Sequence, residues 1–189
     1  IDDRFALPDA DKVVRITLTT HWSPEDRSLR NSSRVQNDLE IAQMLRAAIR
    51  GYSLPVYAAL RWPLSLAVST ADTPFKWGSM TVMKRASHTL YQYVSEIAKI
   101  PDRVQRHKRN LLLTNKLIEC IAKMSADNCT NFDLKPANIL VDAESPWVQN
   151  HRVYVIDLDC RFFRCGVQTC AALFVNLLLL VVHFRAFWN

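Results

Sequence analysis

The sequence predicts an α+β fold in which a strand-bearing N-terminal part leads into a mostly helical C-terminal part. Three observations carry this. The run Lys12-Val13-Val14-Arg15-Ile16-Thr17-Leu18 alternates β-branched residues as a strand does. Residues 106–124 place Leu111, Leu112, Leu117, Ile118, Ile121, Ala122 and Met124 at a helical period, with a basic face left for solvent. Residues 139–141 and 153–156 are two short apolar runs separated by the turn formers Asp142, Ser145, Pro146 and Asn150, which reads as an antiparallel pair joined by a long loop.

The remaining elements follow in chain order. Asn37-Asp38-Leu39-Glu40-Ile41-Ala42-Gln43-Met44-Leu45 carries apolar residues at three- and four-residue spacing and reads as a helix. Met80-Thr81-Val82-Met83-Lys84-Arg85 reads as a strand, and Thr89-Leu90-Tyr91-Gln92-Tyr93-Val94 as a short helix after it. The last segment, residues 168–188, is apolar but interrupted by Asn176 and closed by His183 and Arg185. A membrane span needs about 20 mostly apolar residues, so this shorter run reads as a core helix rather than a tail anchor.

Composition narrows the class. The chain of 189 residues suits one domain or two small lobes, and 49% of its residues are apolar. With mixed charge and no repeat, low-complexity tract or cleavable signal, the expectation is a globular intracellular domain. The net charge of +6 is concentrated partly in Arg103, Arg106, His107, Lys108 and Arg109, which reads as a solvated helix start rather than a nucleic-acid site. Of five cysteines, Cys160, Cys165 and Cys170 are evenly spaced, yet no C-x-x-C pair or companion His supports zinc. An odd count without a signal fits free thiols in a reducing compartment. Asn31-Ser32-Ser33 and Asn128-Cys129-Thr130 match the glycosylation triplet by chance.

The chemistry gathers around the hairpin. If Leu140 faces Val155, Asn138 faces Asp157, and opposed residues in such a ladder sit about 4.5–5.5 Å apart. An amide oxygen and a carboxylate would then reach one cation. Mg²⁺ takes hard oxygen ligands and keeps waters and substrate phosphates in its shell, so that pair is a sufficient protein contribution. Asp133 and Lys135 lie just upstream. A carboxylate there can accept a proton from an attacking hydroxyl, while the ammonium neutralises charge on a transferred phosphate.

Asp133-Leu134-Lys135-Pro136-Ala137-Asn138, followed by Val155-Ile156-Asp157-Leu158-Asp159, resembles the catalytic loop and metal-binding segment of the protein kinase superfamily. The resemblance implies a two-lobe fold, with an incomplete small β lobe in residues 1–83, a helical catalytic lobe in 84–189 and a hinge near 82–88. It implies Asp133 as catalytic base, Lys135 as a phosphate contact, and Asn138 and Asp157 as Mg²⁺ ligands. On the nucleotide it implies Arg15 from the first strand, with Lys12 a poorer candidate, together with its partner Glu40 and the hinge residue Met83. Lys84 is the competing nucleotide lysine, but Glu96 would follow too soon for the partner helix. The implied cofactors are ATP and Mg²⁺. The implied partners are ATP and a protein or small hydroxylated substrate, with no specific nucleic acid and no membrane, in the cytoplasm.

Departures from the pattern widen the choice of acceptor. Asn131 and Phe132 replace the family's His and Arg, which removes control by a phosphorylated activation loop. Leu158 and Asp159 replace Phe and Gly, and this ending looks more like that of choline or aminoglycoside kinases. No Ala-Pro-Glu follows, and about a dozen residues separate Asp157 from the C-terminal apolar helix. Gly51, Gly78 and Gly166 are the chain's glycines, so a glycine-rich phosphate loop is absent. With Ile1 as first residue and a length short for a kinase fold, the expectation is a fragment lacking both ends. Three functions remain: a serine/threonine protein kinase, a kinase-like enzyme for a small hydroxylated molecule, and a silent pseudokinase acting as a binding module.

Overall fold

The predicted first strand is the edge of a three-stranded antiparallel sheet. In the computed structural model, which describes residues 11–20, 27–63, 75–143, 151–158 and 162–188, β1 (Lys12–Thr20) and β2 (Val56–Pro63) flank a central β3 (Phe75–Lys84). The register pairs Arg15 with Thr81 and Val13 with Met83, while β2 sets Ala59 against Thr81 from the other side. The central strand buries the polar side chains of Ser79 and Thr81. The expected helix around residues 37–45 is much longer, α1 (Arg27–Arg50). It stops because Gly51, at φ 76°, takes the left-handed conformation that closes a helix: Tyr52 N–H bonds back to Ala47 and Gly51 N–H to Ala48.

The described residues divide into two compact units, one holding β1, β2, β3 and α1 as far as Arg46, the other holding residues 47–54 and the chain from Ala86 onward. The second unit opens with β4 (His88–Thr89) and α2 (Leu90–Ala98), whose start is fixed by a capping box between Thr89 and Gln92. α3 (Arg103–Ala126) follows, with the Asp102 carboxylate accepting from Val104 and Gln105 N–H. Such a cap contributes about 0.5–2 kcal/mol. Its core stripe is Leu113, Leu117, Cys120, Ile121 and Met124, at the three- and four-residue spacing of one helix face. The predicted members Leu111, Ile118 and Ala122 face solvent instead, because they lie about one residue, some 100°, away from that stripe.

After α3 come β5 (Cys129–Asn131), a single 3₁₀ turn (Pro136–Asn138), β6 (Ile139–Asp142), β7 (Arg152–Val155), β8 (Phe163–Cys165) and α4 (Thr169–Trp188). β4, β6 and β7 form one antiparallel sheet, and β5 pairs with β8 in a second, two-stranded one. α4 buries Ala172, Asn176 and Leu180 at four-residue intervals and leaves Phe174, Leu178, Val181 and Val182 exposed. Among the described residues no helix is long and apolar enough to cross a membrane. Ser145, Pro146, Asn150, Asp159 and Cys160 lie outside the described residues.

One expectation about the cysteines is overturned. Cys129 and Cys165 are joined as a disulfide, where free thiols were expected. The β5–β8 register sets the two residues directly opposite each other, with Cα atoms 4.2 Å apart. A sequence separation of 36 residues gives no sign of this contact. Cys120, buried, and Cys170, exposed, are free thiols.

Candidate functional site

The end of α3 delivers the chain to the site. Asp127 caps the helix and Asn128, at φ 58°, turns the chain out of it into β5. The Asp127 carboxylate is buried, accepts from the Tyr52 hydroxyl at 3.0 Å and is ion-paired with Arg50 at 3.2 Å, so the turn is anchored to the last residue of α1 and the segment just after it. β5 is wholly buried and holds Asn131, whose Oδ1 accepts from Asp133 N–H at 2.9 Å. That bond turns the backbone so that the Asp133 side chain emerges at the surface.

Three of the expected site residues meet there. Lys135 Nζ lies 2.9 and 2.7 Å from the two Asp133 carboxylate oxygens. Asn138 Nδ2 donates to the Asp133 carbonyl oxygen at 2.9 Å and to Asp133 Oδ2 at 2.8 Å. Pro136 opens the 3₁₀ turn that brings Asn138 back to Asp133, its fixed φ being suited to a first helical position. Both contacts to Asn138 are acceptors, so they force its amide nitrogen toward Asp133 and leave Oδ1 as the atom turned elsewhere. Asn138 is buried, while the Asp133 and Lys135 side chains are 26% and 43% exposed. A ligand can therefore reach the acid and the cation but not the nitrogen that orients them.

The hairpin register differs from the expected one by one residue. Ile139 pairs with Val155, Leu140 with Tyr154 and Val141 with Val153; Leu140 does not face Val155. A pleated strand alternates faces, and this register puts buried Ile139 and Val141 beside buried Val155 and Val153. The last bond of the ladder runs from Ile156 N–H to the Asn138 carbonyl at 2.9 Å, so Asn138 faces Ile156 and Asp157 follows one residue beyond. Asp157 is exposed, with φ at 58°, and Leu158 after it is buried.

The other expected residues lie in the first unit. Arg15 Nη2 is 2.6 Å from Glu40 Oε1, with the Arg15 guanidinium also 3.5 Å from Met44 Sδ. Met83 is half-buried in β3 between Val13 and Val56. Lys84 sits opposite Lys12 at the strand end and its N–H bonds to Pro55.

In the sequence, Asn176 stands out only as an interruption in an apolar helix. It is wholly buried and tethers the loop that carries Asp133. Its Oδ1 accepts from Asn131 N–H at 3.3 Å, and its Nδ2 donates to Ser125 Oγ at 3.0 Å and to the Cys129 carbonyl at 3.2 Å. The usable signal was chemical: an amide in the middle of an apolar helix needs buried polar partners.

Mg²⁺ can be tested against these residues. The Asn138 amide oxygen and the Asp157 carboxylate are hard ligands of the kind it takes, and two protein ligands suffice beside water and phosphate. Among the described residues no group of three or more His, Cys, Asp or Glu is placed to hold a metal. A separate open concavity of about 600 Å³ is lined by Arg103, Val104, Arg106, His107 and Asn110 at the start of α3.

No family model matches the chain, and no curated protein matches it. Among solved structures it is similar to one described as WaaP in complex with acyl carrier protein, at 16% identity with a TM-score of 0.47, over 75% of this chain. The chain spans 54%, about half, of that structure's length.

Proposed function

We propose that the chain is an ATP- and Mg²⁺-dependent phosphotransferase of the protein kinase superfamily, transferring a phosphoryl group to a hydroxyl. The observation that carries this reading is the Asp133 cluster, in which one carboxylate receives both the Lys135 ammonium and the Asn138 amide. In this reading Asp133 Oδ1 or Oδ2 takes the proton of the acceptor hydroxyl, and Lys135 Nζ turns from Asp133 toward the phosphate it neutralises. Asn138 Oδ1 and the Asp157 carboxylate would hold the metal. When bound, Mg²⁺ supplies charge neutralisation on the phosphates. Arg15, ion-paired with Glu40, and Met83 are the residues of the first unit that the resemblance assigns to the nucleotide.

Two acceptors are open. The Asp-Leu-Lys-Pro-x-Asn string suggests protein serine or threonine. A small hydroxylated molecule is favoured by the chain after Asp157: β8 returns directly to pair with β5, and α4 begins at Thr169, which leaves little length for a peptide platform. Thermal-shift titration with ATP, with and without Mg²⁺, tests the shared reading, and stabilisation by ATP that ignores the metal would count against it. A metabolite panel run beside a peptide array, each read by ADP release, separates the two acceptors.

A further inference from the structure

We propose that Cys129 and Cys165 form a thiol–disulfide switch controlling the site built from Asp133 and Asp157. This rests on the reading of those residues as one phosphotransfer site. The bond closes a covalent ring across a sequence separation of 36 residues, and Asp133, Lys135, Asn138 and Asp157 all lie inside it. At the neck of the ring the chain is held by a ladder of three residue pairs, Cys129 with Cys165, Thr130 with Arg164 and Asn131 with Phe163. A two-stranded ribbon of that length is marginal on its own. The covalent bond adds to that ladder, to the Phe132–Phe162 backbone bond and to the Asn176 amide in holding β5 and β8 together at the base of the loop.

The two sulfurs are unequal. Cys165 is exposed, whereas Cys129 is fully buried. Cys129 Sγ lies 3.4 Å from the Asp127 carbonyl oxygen and 3.8 Å from its carboxylate, two acceptors that suit a protonated thiol and repel a thiolate. Exchange accordingly runs through Cys165. In oxidation, the Cys165 thiol loses its proton to solvent and the thiolate attacks one sulfur of a small disulfide such as glutathione disulfide. A mixed disulfide forms and one glutathione thiolate leaves. Cys129 then gives up its proton and attacks the Cys165 sulfur, which forms the internal bond and releases the second glutathione. Each departing thiolate takes up one of the two protons. Reduction by a small thiol reverses both steps: attack falls on exposed Cys165, and Cys129 leaves and is reprotonated beside Asp127.

The bonded state is the one that holds the site. The test uses the full chain equilibrated with glutathione disulfide or with excess glutathione. Peptide mapping after alkylation reads the bond, and Mg²⁺-ATP titration with hydrogen exchange over residues 131–138 and 156–158 reads the site. The expected result is a Cys129–Cys165 bond in the first condition and free thiols in the second, with reduction weakening Mg²⁺-ATP binding several-fold and raising exchange in both segments. Cys165→Ser should behave as the reduced protein in both buffers. A bond that excess glutathione leaves intact, or equal exchange with and without it, overturns the switch. Failure to bind Mg²⁺-ATP in either state, with exchange still responding to reduction, overturns the phosphotransfer reading and leaves redox control of the loops standing.

Discussion

Replacing Asn176 with Leu asks how much the loop bearing Asp133 depends on one buried amide. The substitution removes the acceptor for Asn131 N–H and the donor to the Cys129 carbonyl and Ser125 Oγ, and all three residues are buried. A buried polar group left without a partner costs about 1–3 kcal/mol, so the two backbone groups alone lose about 2–6 kcal/mol. Leucine returns about 1–2 kcal/mol through apolar burial, for a net loss of about 1–4 kcal/mol. For a chain of this size each 1 kcal/mol lowers Tm by about 2–4 °C, so the midpoint should fall by roughly 2–16 °C. Phe174→Ser on the exposed face of the same helix is the control, expected within about 0.5 kcal/mol. Thermal melts read the cost, and hydrogen exchange at Asn131 and Asp133 reads its location. An Asn176→Leu protein that melts with the wild type, with unchanged exchange at both residues, would refute the anchor.

Three further outcomes are expected. Asp157→Asn should abolish the Mg²⁺-dependent part of ATP stabilisation, while Asp133→Asn should keep it and lower turnover by about 10²–10⁴-fold, the usual worth of a general base; isothermal titration and ADP release check the pair, and full turnover in Asp133→Asn would exclude it as base. His151 is buried, its ring nitrogens have no hydrogen-bond partner among the described residues, and burial lowers its pKa, with Lys116 and Arg109 pushing the same way and Glu119 opposing. The folded chain then binds fewer protons than the unfolded one below about pH 6.5, so this contribution is complete above that value and lost as pH falls through it; urea melts should show a drop from pH 7 to pH 5 that is smaller in His151→Phe. The Cys120 thiol is pushed up to about 12 by burial, so iodoacetamide at pH 8 should label exposed Cys170 and spare Cys120 in the folded protein, as read by peptide mass.

What the sequence disclosed follows the range over which each signal acts. α3 and α4 announce themselves through many turns of apolar spacing, and β1 through repeated β-branched residues. β2 was missed because Ala58, Ala59 and Pro63 dilute its alternation, and β5 and β8 because three residues give no period to read. Asp133, Lys135 and Asn138 were legible together because six residues of chain contain them, so local turn geometry nearly fixes their meeting. Asp157 depended on a register across a long loop, and a slip of one residue there changes its opposite number. Asn176 and the Cys129–Cys165 pair depended on packing between elements far apart in sequence, which no local pattern encodes.

The corrected register changes the argument about Asp157. Asn128 and Asp157 are the described non-glycine residues with positive φ, both at 58°. For Asn128 the cause is local, since it follows the cap of α3 and its N–H closes the helix onto Ser125. Asp157 ends no helix. It stands just past the last ladder bond, between half-buried Ile156 and buried Leu158, where an extended strand would have continued. A left-handed residue other than glycine carries a modest cost, and such costs persist where surrounding structure or function holds them. Here the turn lets Leu158 enter the core while the carboxylate stays in solvent beside the end that carries Asn138. Under the expected register the ladder itself would have aimed Asp157 at Asn138. Under the observed one the proposed metal role would depend on the backbone turn instead, so a substitution at Asp157 separates charge from conformation only if it tolerates φ near 60°. Asparagine does so better than alanine, which is why Asp157→Asn, and not the alanine variant, isolates the role of the carboxylate.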